Sequence, residues 1–280
     1  MRIELLALDV DGTLATSDLT ITEPTKKTIA KAIDQGVLVV PATGRVFKQV
    51  PEEVLEIPGM QYAITSNGAA VTDLKSMEQI YTNPLKKEVV EKIAELLYNR
   101  TLYVEAYIGG KSITYGRSLD LAKKKMPKEY VDLIVSTIDV EPKEKDFYDY
   151  ILRKPVEKIN LFFESRQDRL NMISELERAV ADESKITSPV IDNVEINNPN
   201  ASKGDALSHL ADLLAIPSQR VMAVGDADND IEMIRYAGLG IAMENADEDL
   251  KRIADEMTLS NDEDGVAHAI STYILKKKER

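Results

Sequence analysis

Residues 5–13 read Leu5-Leu6-Ala7-Leu8-Asp9-Val10-Asp11-Gly12-Thr13. Four apolar residues in succession suit a short strand buried on both faces, as in a parallel sheet covered on either side by helices. The run ends on Asp9, with a second aspartate two residues on and a glycine after it. A buried strand that stops in acid points its carboxyl end at something polar. In open parallel sheets that end is where ligands bind.

The pattern repeats on either side. Residues 25–35 place Ile29, Ala30 and Ile33 at helical spacing and stop at Gly36. Residues 37–40 form a second apolar run, followed by Thr43-Gly44-Arg45, and residues 62–65 a third, followed by Asn67-Gly68. The last third has the same grammar. A helix is predicted over 203–215, a strand over 221–224 that runs into Gly225-Asp226, a helix over 229–237 and a strand over 239–243. A helix over 247–254, a short strand at 257–259 and a closing helix over 266–275 complete it. Alternating strands and helices with fully apolar strands predict a doubly wound α/β core.

The middle third departs from this. Pro84 suits the first turn of a helix capped by Asn83 and running to about Tyr98. Residues 102–108 and 112–115, around Gly109-Gly110, read as a hairpin. Residues 118–150 carry no clear period. A strand is expected at 158–163, a helix at 169–180 and a strand at 190–196. The expectation is therefore an α+β domain inserted at 83–190 into a core made of 1–82 and 191–280.

Composition limits the chemistry. The 280 residues carry a formal net charge of −13, which argues against nucleic acid as a partner, because counterion release needs a basic surface. There are no cysteines and only two histidines. Disulfides, thiolate nucleophiles and Cys-ligated zinc are excluded, and a three-ligand catalytic zinc site is not within reach. Any metal is expected to be held by oxygen, which favours Mg²⁺. No apolar stretch approaches the roughly 20 residues that span a bilayer, and the N-terminal residues lack the features of a signal peptide. A cytoplasmic protein with no membrane partner is expected.

At the carboxyl ends of the predicted strands, Asp9, Asp11, Asp226 and Asp230 converge. Four carboxylates in a small volume repel unless a cation sits among them, and a hard divalent ion plus a phosphate would complete the set. Thr43 offers a hydroxyl and Lys203 an ammonium. Gly12 and Gly44 let backbone N–H groups approach an anion closely. Two aspartates with a single residue between them can divide labour, one attacking phosphorus and the other moving protons.

DVDGT at 9–13, ATGR at 42–45, the lysine of ASKG at 201–204 and GDADND at 225–230 follow one another in that order. They resemble the four motifs of the haloacid dehalogenase-like (HAD) superfamily, whose core is Rossmann-like. NGA at 67–69, VEIN at 194–197 and SKGDAL at 202–207 resemble its Cof-type phosphatases, and the insert resembles their cap. The resemblance implies an Mg²⁺-dependent phosphatase for a small phosphorylated metabolite, a sugar phosphate first, acting through an aspartyl-phosphate. It implies Asp9 as nucleophile and Asp11 as general acid and base, with Thr43 and Lys203 on the phosphoryl group. The metal would be held by Asp9, Asp226 and the main-chain carbonyl of Asp11, with Asp230 orienting a metal-bound water or Lys203. It also implies a cap that closes over the site and reads the leaving group.

Other readings stay open. A phosphomutase or phosphotransferase would keep the same aspartates, and a non-enzymatic Mg²⁺ or phosphate sensor would keep the acidic cluster. Gly12, Gly44, Arg45, Asn67 and Asn229 are candidate phosphate or substrate contacts, although Arg45 and Asn67 would serve equally well to satisfy or cap a loop. His209 and His268 are read as structural or solvated. Tyr103, Tyr107 and Tyr115 are read as sheet packing, and the lysine runs at 123–125 and 276–278 as solvated faces.

Overall fold

Fourteen strands are found among the residues that the computed structural model describes, 2–125, 128–188 and 192–275. In chain order they are β1 (Leu5–Asp9), β2 (Leu38–Ala42), β3 (Tyr62–Thr65), β4 (Ala70–Asp73), β5 (Glu78–Thr82), β6 (Tyr103–Ile108) and β7 (Lys111–Tyr115). They continue as β8 (Ile138–Glu141), β9 (Lys158–Phe162), β10 (Lys185–Thr187), β11 (Asn193–Asn197), β12 (Val221–Gly225), β13 (Leu239–Ala242) and β14 (Glu256–Met257). Two compact units hold them. The first takes in the described residues of Met1–Arg45, Val50–Tyr81 and Ser202–Arg280, and the second Val46–Gln49 and Thr82–Ala201.

The first unit is built on a sheet of order β14-β13-β12-β1-β2-β3-β4-β5. From β14 to β3 the pairing is parallel, with Leu5 between Val221 and Leu38, and Ala7 between Ala223 and Val40. Every residue of β1 and β12 is buried, which is why these strands read as unbroken apolar runs. Each fully buried Leu or Val there contributes about 1.5–3 kcal/mol. Helices Glu23–Asp34 and Lys203–Leu213 pack apolar residues such as Ile29, Leu207 and Leu210 into the same core. Chain order runs outward from β1 through β2 and β3, then returns to β12 on the other side of β1. The sheet therefore reverses winding between β1 and β12, the place where a doubly wound sheet opens a binding crevice. No helix among the described residues is long and apolar enough to cross a membrane.

The second unit carries a sheet of order β10-β11-β9-β6-β7-β8, with β6 and β7 joined as the predicted hairpin. Val104, Ala106, Ile159, Leu161, Val194 and Ile196 form part of one core cluster with residues of helices Lys87–Leu97, Glu144–Ile151 and Arg166–Val180. The alternate residues are polar, yet Glu105, Lys158, Asn160 and Glu195 are all buried. Glu105 accepts hydrogen bonds from Tyr103, Tyr107, Ser112 and Asn160.

Three expectations change. The insert does not end at 190: β11 pairs with β9 and β10, so the second unit extends to Ala201. Val190, at the start of the expected strand, and Ile191, where the core was to resume, lie outside the described residues, as does the lysine run 276–278. The helix expected from Pro84 begins at Lys87 instead. Leu85 is drawn out of helical conformation by donating its N–H to the carbonyl of Val156 at 2.8 Å, and the Asn198 amide binds the Pro84 carbonyl at 2.7 Å. The stretch 118–150, without a clear period, forms helices Gly116–Lys125, Lys128–Thr137 and Glu144–Ile151 around β8.

Candidate active site

Parallel pairing aligns the carboxyl ends of β3, β2, β1 and β12, and the loops that leave them carry the predicted residues. Asp9 closes β1 and is 4% exposed. Lys203, first residue of helix Lys203–Leu213, reaches across with Nζ 2.5 Å from Asp9 Oδ1 and 2.6 Å from Asp230 Oδ1. Ser202 caps that helix by accepting the N–H of Asp205 at 3.0 Å, which fixes where the lysine starts. Asp230 is fully buried, and its second oxygen accepts the N–H groups of Asp226 and Ala227 at 2.9 and 3.1 Å. Asp230 thus closes the loop after β12 and orients Lys203.

Asp226 receives the Thr13 hydroxyl at 2.6 Å. Gly12, at φ +82°, lies against its carboxylate, where a Cβ would collide. Asp9, Asp226 and Asp230 each offer an oxygen within 4.8 Å of the other two. Three carboxylates face a single ammonium, a deficit of two charges. Burial pushes the Asp9 carboxyl well above its ordinary range; Lys203 opposes this, and Asp230 and Asp226 add to it. Burial likewise raises Asp226, partly countered by the Thr13 hydrogen bond. Burial would lower Lys203, but Asp230 and Asp9 together raise it. An all-oxygen donor set short of positive charge fits a hard divalent cation.

Asp11 lies apart from this cluster. Its carboxylate is half exposed and paired twice with Arg45, Nε to Oδ2 at 2.9 Å and Nη2 to Oδ1 at 2.5 Å. Two aspartates two residues apart therefore occupy opposite settings, one buried on a lysine and one at the surface on an arginine. Thr43, buried, accepts the Arg45 N–H through its hydroxyl, and its carbonyl accepts the Asn67 N–H at 3.1 Å. Asn67 and its predecessor Ser66 are both left-handed, at φ 57° and 55°. The Asn67 side-chain oxygen accepts from Asn229 at 3.2 Å and lies against Gly44. Asn67 and Asn229 thus tie the loop after β3 to the loop after β12 and back the Gly44 turn.

His209 stacks on Tyr81 and bonds the Asp205 carbonyl, and His268 bonds Thr258. Thr13 is quoted in the motif at 9–13, but nothing in the sequence singles out its hydroxyl as the partner of Asp226. Asn245, whose amide donates to the Gly12 carbonyl at 2.8 Å, had no local signal, because an asparagine in a loop is commonplace.

A family model for haloacid dehalogenase-like hydrolases matches residues 6–270. The chain is 31% identical to the phosphatase YwpJ of Bacillus subtilis, over 95% of this chain and 98% of that one. It is 28% identical to YwtE of the same organism, a 5-amino-6-(5-phospho-D-ribitylamino)uracil phosphatase, over 97% and 98%. In three dimensions it matches a haloacid dehalogenase-like hydrolase from Bacteroides thetaiotaomicron with a TM-score of 0.84, 28% identity, and coverage of 97% and 99%.

Proposed function

We propose, from the premise that this chain belongs to the haloacid dehalogenase-like hydrolases and is a phosphatase, that it hydrolyses small phosphomonoesters in two steps through Asp9, with Mg²⁺ as cofactor. The observation that carries this is the contrast between Asp9, buried on Lys203, and Asp11, half exposed on Arg45. Two carboxylates in unlike environments are fitted to unlike roles.

In the first step an Asp9 oxygen attacks phosphorus as the bond to the leaving oxygen breaks, and Asp11 donates a proton to that oxygen. In the second, Asp11 takes a proton from water, the water oxygen attacks phosphorus, and the bond to Asp9 breaks, releasing inorganic phosphate. Lys203 holds Asp9 in place and offers positive charge to the phosphoryl oxygens. Thr43 and the backbone around Gly12 and Gly44 supply neutral donors. Asp9 and Asp226 would hold the metal, and Asp230 would keep Lys203 and the loop after β12 in register. The bound cation supplies the charge that the three carboxylates lack and offsets charge on the transferring group. A sugar or polyol phosphate is the favoured substrate, supported by the phosphoribityl compound named for YwtE.

The test is phosphate release from a panel of sugar, polyol and nucleoside phosphates with Mg²⁺ or EDTA. Asp9→Asn is expected to lose on the order of 10⁴-fold or more, and Asp11→Asn about 10²–10⁴-fold. Release that persists in Asp9→Asn would sink the covalent route. A phosphorylated acceptor appearing in place of free phosphate would mark a phosphotransferase.

A further inference from the structure

The segment that follows Asp11 is held by side chains from the far end of the chain. Asn245 Nδ2 donates to the Gly12 carbonyl at 2.8 Å, while Asn245 Oδ1 accepts the N–H of Asn261 at 3.0 Å. Both ends of the amide are used, so only one orientation serves. Asn261 in turn donates its side-chain N–H to the Ala15 carbonyl at 2.9 Å. Asp262 accepts the Ser17 N–H and hydroxyl, each at 2.8 Å, and Asp264 accepts the hydroxyls of Thr22 and Thr25.

Asn245 stands in a loop that also grips the metal side of the site. Met243 donates its N–H to the Gly225 carbonyl at 3.0 Å, and Asp247 to the Asp226 carbonyl at 2.8 Å. Residues 243 and 247 thus reach the carbonyls at the end of β12 and the start of the loop after it, and residue 245, between them, one carbonyl of the loop after β1. Gly12 presses on Asp226, and Thr13 bonds it, so the two loops have little room to slide once Asn245 is in place.

We propose that Asn245 is a positioning residue that sets the Asp11–Gly12 turn relative to Asp226, and through it aims the Asp11 carboxyl at the leaving oxygen. This rests on the phosphatase reading above. Asn245 is exposed, so its hydrogen bonds add little to global stability, whereas a small displacement of a proton donor is costly to rate. Proton donation matters most for a poor leaving group.

The experiment compares wild type with Asn245→Ala on an alkyl phosphate and on p-nitrophenyl phosphate, whose phenolate leaves without a proton. The expected result is a fall of about tenfold in kcat/KM for the alkyl ester, with the nitrophenyl ester within about twofold and Tm within about 2 °C. Amide exchange supplies a readout independent of turnover. Leu14 and Ala15 donate to the Asp9 and Val10 carbonyls, and their exchange is expected to quicken in the variant. Equal losses on the two esters, or unchanged exchange at Leu14 and Ala15, would overturn the proposal. The alkyl ester is the best substrate of the phosphate panel; a wild-type protein that releases phosphate from no member of that panel would overturn the phosphatase reading and the aiming of Asp11 with it, while exchange would still decide whether Asn245 braces the turn.

Discussion

Lys203 is wholly buried, with two carboxylates on one ammonium. Removing one partner of a buried ionic group leaves the others uncompensated, which costs about 3–5 kcal/mol. Lys203→Ala is therefore expected to lower the stability of the metal-free protein by that amount, read from urea unfolding. A loss below about 1 kcal/mol would show that the carboxylates accommodate its absence by taking up protons. Tyr115 offers a test by pH. Burial, then the nearby Glu144, pushes its phenol from 10.0 up to about 12. A group whose folded value is raised contributes stability that is fully present below its unfolded value and is lost as pH rises through the folded one. Stability is thus expected to fall between pH 10 and about 12. Tyr115→Phe is expected to make that fall shallower, with Tyr148, also raised by burial, supplying what remains. Denaturant midpoints measured across this range would check it.

The helix Lys203–Leu213 owes its placement to its own first turn. Ser202 accepts the N–H of Asp205, and the Asp205 carboxylate in turn takes the Tyr81 hydroxyl at 2.5 Å. Ser202→Ala is expected to cost about 1 kcal/mol, measured by thermal unfolding. It should also lower turnover, because Lys203 is the next residue. Full activity with lowered stability would separate the cap from the placement of Lys203. Strand ends carry the rest of the site. Asp9, Thr43, Asn67 and Asp226 come together because β1, β2, β3 and β12 are parallel neighbours, so each loop leaves the sheet on the same edge.

Over the whole molecule, the residues singled out for chemistry fall in the first unit, although 120 residues of the second unit, Thr82–Ala201, intervene in the chain. A ligand that binds only the folded site stabilises by mass action, about 2.7 kcal/mol at a concentration 100 times its Kd. Mg²⁺ is expected to raise Tm, and EDTA to reverse it. Asp226→Asn should blunt the rise. The effect should survive at high ionic strength, since the carboxylates are largely buried and screening reaches them poorly. An equal rise in Asp226→Asn would place the ion elsewhere.

Much of this was legible in sequence, for reasons that are local. Runs such as 5–8 and 221–224 have no solvent-facing side, so they spell out buried parallel strands. The four motifs are short, so Asp9, Asp11, Lys203 and Asp226 could be singled out as candidates from the ends of the predicted strands and from the motifs' resemblance to a known family. Other features depend on partners far along the chain. β11 belongs to the second unit only because β9 lies beside it. Leu85 stands outside the helix and meets the Val156 carbonyl, 71 residues on. Asp11 is turned to Arg45 and away from the acidic cluster, and Asn245 is tied to Gly12 across 233 residues of sequence. By itself the sequence determined which chemistry this protein carries, because motif residues and buried periodicity are written in neighbouring positions. Only the tertiary structure decided which carboxylate is buried and which stands at the surface, and what braces them, because desolvation and hydrogen-bond partners exist only once distant segments have packed.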